Sequence, residues 1–327
     1  MSKNTHLSSH NGFRATFGTS SLSLGLFLPI EAYTGDTPTM KDQERLAVQA
    51  EDLGFSTLWF RDVPLRVPTF GDVGQISDPF VYMGWIGAKT HSIALATGAL
   101  VLPVRHPLHT AKAAASIDIL TGGRFLFGAA SGDRPEEFPA FGVEMNERGA
   151  LFRENLEWIR SAWGEQFPHL SSQNYGMLFG AADPIPKPAN GAVPTLIVGG
   201  SQQDIRWTAE HGDAWIMYPR PLPIQKQIIE AWRNALAEVT PGQHKPFAQS
   251  LYVDLTDKAD EGPRPIHLGF RSGRNHMINH LNQLEEIGVE HVILNLKYGS
   301  RPACEVIQEI GEFVIPQFAK REELAIA

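Results

Sequence analysis

The sequence predicts an α/β chain closed into a (β/α)8 barrel, a TIM barrel with insertions after the fourth and seventh strands. Short apolar runs alternate eight times with longer amphipathic stretches. The apolar runs lack a polar face, as expected of parallel strands covered by helices on one side and by barrel core on the other. The eight units fill most of the 327 residues, the compass of one such barrel. An open doubly wound sheet is the alternative, but eight parallel strands joined by right-handed crossovers can close and leave no edge.

The polar segment 1–20 reads as a tail, loose or partly docked, ahead of a single barrel domain over 21–320. The first strand is Ser21 to Leu28, followed by a helix from Met40 to Leu53 with Gly54 past its end. The second strand, Phe55 to Phe60, leads into a long loop to Ser77 and a helix from Asp78 to Thr90. The third is one strand from Ile93 to Leu102, and its helix runs from Pro107 to Leu120 before Gly122 and Gly123. The fourth, Arg124 to Ala130, precedes a functional-looking loop and a helix from Arg148 to Trp163. The Gly-, Pro-, Asn- and Ser-rich stretch from Gln166 to Val193 reads as an insertion with room for a hairpin, because the βα series resumes at once. Fifth comes Pro194 to Gly200 with a helix from Ser201 to His211; sixth, Ala214 to Tyr218 with a helix from Leu222 to Val239. The seventh, Pro246 to Leu255, is followed by a second insertion, Asp257 to Arg274, and a helix from Asn275 to Ile287. The eighth, His291 to Leu296, is closed by a helix from Ala303 to Phe318.

Composition bounds the function. A net charge of -8 offers no basic stripe for nucleic acid. No run approaches the length of a membrane span, and the polar N-terminus lacks a signal core, so a cytoplasmic setting is expected. One cysteine, Cys304, rules out an intramolecular disulfide and reads as a packed helical residue. The P-loop, GxGxxG, GxSxG and HExxH patterns are absent. His276 and His280 share a helix face without an acidic partner, and His106 and His109 open another helix; both pairs read as surface or packing residues, and no metal site is expected.

Barrel chemistry gathers at the C-terminal ends of the strands. After strand two stand Arg61 and Asp62, which either face a ligand or pair with each other. Strand three carries Thr97, Gly98 and Ala99, small enough for a flat ring to approach the backbone. Strand four ends in Ala130, Ser131, Gly132, Asp133 and Arg134, a Gly-bearing loop suited to an anion, with Arg148 at the next helix start. Gly199, Gly200 and Ser201 follow strand five. Read physically, Ser201 caps a helix whose free amides and dipole attract a phosphate, or simply caps an ordinary helix. Arg271 and Arg274, beside the helix after the seventh strand, form a second candidate anion clamp or a surface pair.

Several runs together resemble the luciferase-like monooxygenases: DQERLAVQAEDLGFSTLWFRD, the segment from DPFVYMGW to FLFGAASGD, EEFPAFGVEMNERGALFRENLEWIRSAW and PTLIVGGSQQDIRWTAEHGDAWI. Each is weak alone; their order over roughly 22–320 is specific. The resemblance implies FMN or a deazaflavin at the C-terminal mouth. It places Gly98 and Ala99 where the family often has a bulge or a non-proline cis peptide behind the flavin ring. Arg148, Gly200 and Ser201 fall at the flavin phosphate, and Ser131 in a loop lining phosphate and ring. Two departures bear on the oxygen chemistry. Val63 follows Asp62 where many members have a histidine, and Ala130 replaces the cysteine of luciferase. His106 matches a common family histidine, expected behind the residues that touch the flavin.

The expected function is a flavin-dependent oxidoreductase, in first place a monooxygenase taking reduced FMN from a separate flavin reductase and molecular oxygen to a small organic substrate. The alternatives are a deazaflavin-dependent reductase or dehydrogenase and a flavin-binding protein without turnover. Asp62 and Arg61 are the expected polar groups at the reacting edge, and Phe27, Phe70 and Trp215 the expected apolar substrate pocket. A homodimer is expected, as is common in the family, joined through the helices flanking the third strand.

Overall fold

The computed structural model describes residues 5–319. Eight parallel strands close into a barrel: β1 Ser23–Phe27, β2 Thr57–Phe60, β3 Ala94–Thr97, β4 Phe125–Ala130, β5 Thr195–Val198, β6 Ala214–Met217, β7 Phe247–Leu255 and β8 His291–Asn295. Each pairs in parallel with the next, and β8 pairs back onto β1 through Leu24↔Val292 and Gly25↔Ile293. Residues pointing inward, such as Trp59, Ala96, Leu126, Leu196, Ile216, Ala248 and Ile293, fill the barrel. Their outward neighbours pack beneath the helices in a second, larger cluster. This alternation is the period-2 geometry of a strand buried on both faces.

Both insertions form hairpins. His169–Ser172 pairs antiparallel with Gly176–Phe179, and Arg264–Ile266 with Gly269–Ser272, which extends the sheet beside β7. The third strand, expected as one piece, breaks after Thr97 and resumes at Leu100–Val101. The Gly98–Ala99 peptide between the pieces is cis. Beside the break, Thr97 Oγ1 exchanges hydrogen bonds with the Gly128 carbonyl at 2.8 Å and N–H at 2.9 Å. A Cβ at Gly128 would stand 1.8 Å from the Thr97 carbonyl oxygen, so only glycine allows this approach.

The N-terminal segment, expected to be loose or partly docked, is folded and docked over its described part. Residues Thr5–Ser9 and Asn11–Phe17 form short helices α1 and α2 that plug the N-terminal end of the barrel. Phe17 packs edge-on against His291 at 5.8 Å, and Thr16 Oγ1 lies 2.6 Å from Thr57 Oγ1. His10 and Asp118 meet at 3.0 Å, both fully buried. His10 Nδ1 accepts the Phe13 N–H, which leaves Nε2–H to donate to the carboxylate. A seven-residue helix is too short to persist alone; tertiary packing of Phe13 and Phe17 holds it.

His291, the first residue of β8, lies at the floor of the barrel and is fully buried. Trp59 Nε1–H donates to its Nε2 at 3.0 Å, so the proton sits on Nδ1, which faces Ser23 Oγ at 2.7 Å. Ser23 Oγ in turn donates to the Thr16 carbonyl at 2.6 Å. Burial pushes the imidazole pKa down to about 3. The folded value lies below the ordinary ~6.5, so the unfolded chain takes up its proton first as pH falls. Stability from this residue is complete above about pH 6.5 and drains away toward pH 3. The wild type should lose about 2 kcal/mol between pH 6.5 and 5, before most carboxylates titrate. In urea denaturation across this range, His291→Gln should show a flatter dependence; an unchanged slope would exclude His291 as the source.

Candidate functional site

A cavity of about 500 Å³ opens at the C-terminal end of the barrel. Arg61, Asp62, Gly98, Ala99, Ala130, Ser131, Gly199, Gly200 and Ser201 all border it. Of the residues expected at the flavin and its reacting edge, Arg148 alone lies off its wall. Arg148 opens helix α3, Arg148–Gly164, and donates to the Met145 carbonyl at 2.8 Å. Its neighbour Gly149 accepts from the Gln203 side-chain amide at 2.8 Å, which seats the start of α3 on the turn after β5. A narrower recess of about 90 Å³ continues inward past Phe27, Gly98, Ser250 and Asn295.

The turn after β5 differs from the expected capped helix. The next helix begins only at Ile205, and its N-cap is Asp204, which accepts from Trp207 N–H at 2.7 Å. Ser201 instead turns its hydroxyl onto the Val198 carbonyl at 2.8 Å. Gly199, Ser201 and Gln202 adopt φ of 65°, 44° and 57°. Among the described residues, the backbone N–H groups of Gly200, Ser201 and Gln202 meet no protein acceptor. Left-handed turns of this kind gather amides into an anion-binding concavity. A Cβ built on Gly199 or Gly200 would meet nothing within 4 Å. This cradle has the room and the donors for a phosphate.

Arg61 and Asp62 do not pair with each other, because successive residues leave a strand on opposite sides. Asp62 accepts from Arg105 Nε and Nη2, both at 2.7 Å, and from Val101 N–H at 3.1 Å. The carboxylate therefore serves as an anchor for the chain after the strand-three break. Arg61 turns over the Phe27 ring, 5.6 Å from its centroid, and binds Asp72 at 2.8 and 3.2 Å. Asp72 also accepts from Tyr33 at 2.6 Å, Gly74 N–H at 2.9 Å and Tyr252 at 3.2 Å. Burial by itself would raise the Asp72 carboxyl; Arg61 and these donors outweigh it and hold the group well below the usual carboxylate range. The tyrosine hydroxyls move the other way, raised by burial and by the Asp72 charge. Glu137, 2% exposed on the same wall, is pushed up chiefly by burial.

Other expectations are corrected. Trp215 lies beneath the outer layer against Trp232 and Phe247 and donates to the Gly199 carbonyl; it does not border the cavity. Phe70 lines the cavity and Phe27 its inner recess. Arg271 and Arg274 are bound to Asp254 at 2.6 Å and Glu309 at 2.9 Å, so neither is free to clamp an anion. His106 is an exposed cap that accepts Leu108 N–H, and it faces Tyr175 rather than the cavity. His276 and His280 flank Phe270, and no metal-binding cluster occurs among the described residues. No helix among them is long and apolar enough to cross a membrane. Asp72, Arg105, Tyr252 and His267 were missed. The length of the loop from Arg61 to Ser77 was the one available signal for Asp72.

A profile of the luciferase-like monooxygenases matches residues 22–303. The chain belongs to the luciferase-like monooxygenase family. An uncharacterized protein of Mycobacterium tuberculosis is 30% identical over 225 residues, covering 62% of this chain and 79% of that protein. Among solved structures, an F420-dependent secondary alcohol dehydrogenase, in complex with an F420-acetone adduct, superposes with a TM-score of 0.74 at 19% identity. That match covers 90% of this chain and 98% of the dehydrogenase. The FMN-bound oxygenating constituent of 3,6-diketocamphane monooxygenase from Pseudomonas putida gives 0.72 at 16% identity, covering 91% and 99%. These two likenesses establish the fold. In this luciferase-like chain, the small-residue wall at Gly98–Ala99 and the amide cradle at Gly200–Gln202 border the same cavity.

Proposed function

We propose that this chain is a flavin-dependent monooxygenase that holds reduced FMN in the cavity and acts on a small organic substrate with molecular oxygen. The observation that carries the reading is the cradle after β5, three unpaired amides around an empty space. Gly200, Ser201 and Gln202 would hold the phosphate, with Arg148 behind the turn. Gly98, Ala99 and Ala130 would leave room for the ring, and Ser131 would line the space between. Bound FMN would supply the redox chemistry. The chain's part is to bind and orient it, with Arg61 locked over Phe27 at the inner end and the loop carrying Asp72 limiting the access of water. A separate reductase would deliver the reduced flavin.

A deazaflavin with hydride transfer is the second reading, favoured by the dehydrogenase that superposes at 0.74. A dimer through the helices flanking the third strand remains part of the proposal.

Titration with FMN, followed by flavin fluorescence, tests the cofactor. Micromolar or tighter binding is expected. Gly200→Leu places a side chain in the open cradle without a left-handed backbone. It should keep the circular dichroism spectrum and weaken FMN at least tenfold. Undiminished affinity in that variant would remove the cradle from the site. Oxygen uptake with reduced FMN then separates the first reading from the second.

A further inference from the structure

We propose that the substrate of this cavity is a small aromatic carboxylate, with its charged end on Arg134 and its ring against the aromatic rim. The proposal rests on the reading above that the cavity is a small-molecule site, and it names the molecule's chemistry.

Arg134 follows strand β4 in the loop of Ser131 and Gly132, and it borders the cavity. Its guanidinium stacks on Phe70, 4.8 Å from the ring centroid. Its single protein hydrogen bond among the described residues runs from Nη2 to the Asp72 carbonyl at 2.8 Å. Nη1 is shielded from water and bonded to nothing. A cation that stacks on a ring and keeps unused donors is short of an acceptor.

The neighbouring carboxylates do not answer it. Asp62 is taken by Arg105 and Asp72 by Arg61. Glu137 accepts from Leu65 N–H and makes no ion pair with Arg134 among the described residues. Asp133 remains, exposed, against both Arg134 and the exposed Arg220 on the same rim. Arg134 therefore has no ion-paired carboxylate of its own among the described residues.

Geometry narrows the class. The cradle after β5 already offers amides to a phosphate. Arg134 offers instead a guanidinium, whose donors suit carboxylate and phosphate alike, and with the phosphate assigned to the cradle it is left for a carboxylate. Around it the rim is aromatic and uncovered: Phe70 is 42% exposed, Tyr218 51% and Tyr298 38%. His267 and Tyr252 stand edge to face beside Tyr298. Flat rings pack on such a surface better than short aliphatic chains do.

The test uses the FMN-loaded protein and three probes, benzoate, benzamide and propionate, read by isothermal calorimetry. Benzoate should bind at least tenfold more tightly than either of the others. Arg134→Gln should reduce benzoate to the level of benzamide while FMN affinity stays within threefold. Arg134→Lys should restore part of the preference, and Phe70→Ala should weaken benzoate more than propionate. Equal binding of benzoate and benzamide would overturn the proposal. So would loss of FMN rather than benzoate in Arg134→Gln, which would assign Arg134 to the cofactor. If the wild type fails to bind FMN, the functional reading falls, and the same titrations on the FMN-free protein still decide the carboxylate preference.

Discussion

Asp72→Asn is expected to destabilise the protein by about 3 kcal/mol, the cost of leaving a largely buried arginine without its counter-charge. The Arg61 and Asp72 side chains are 16% and 11% exposed. The new amide keeps one acceptor oxygen and no charge, and its NH2 faces one tyrosine hydroxyl and one Arg61 N–H that had been donors. Urea denaturation at pH 7 measures the loss. A second signature follows from pH. Because the folded Asp72 carboxyl lies below its unfolded value, its contribution is full above about pH 4 and declines as pH falls through the folded value. The gap between wild type and Asp72→Asn should therefore narrow in acid. A change under about 0.5 kcal/mol at pH 7 would mean that Arg61 finds water instead, and the locked guanidinium over Phe27 would have to be given up.

Phe17→Ala should cost about 3–5 kcal/mol, typical of a large aromatic removed from a core. The lost ring is the one that seats helix α2 on His291 and the barrel floor. For a protein of this size that corresponds to a fall in Tm of about 4–7 °C. Hydrogen exchange should quicken first at the floor, around Thr16 and the start of β1, because Ser23 Oγ bonds the Thr16 carbonyl there. A Tm within about 2 °C of wild type would show that the plug contributes little in solution.

Neither of these two sites was legible in the sequence, whereas the barrel was. The eight strands were legible because each is buried on both faces and so reads as an unbroken apolar run, as in TLWF and HVILN. The plug was not, because NGFRATF is short and its Phe17 packs on a histidine more than 270 positions away. Positions at the mouth were legible from the rule that strand ends carry the site, and Gly98, Ser131 and Gly200 all border the cavity. Partnerships were not. Arg61 chose Asp72 across a long loop and Asp62 chose Arg105, pairings fixed by side-chain direction and loop closure rather than by proximity in the chain. The helix expected at Ser201 failed because three left-handed residues intervene, a conformation that Ser and Gln do not announce.

The cradle after β5 is made of main chain. Ser201 spends its hydroxyl on Val198, and the Gln203 side chain is turned to Gly149 and Ser201. An alanine scan across these positions would remove side chains and leave the donors in place. Such a scan would return near-silence at the point where the ligand is gripped. Only changes of backbone shape or of empty volume would register, and sequences that drift here can keep the same grip with different letters.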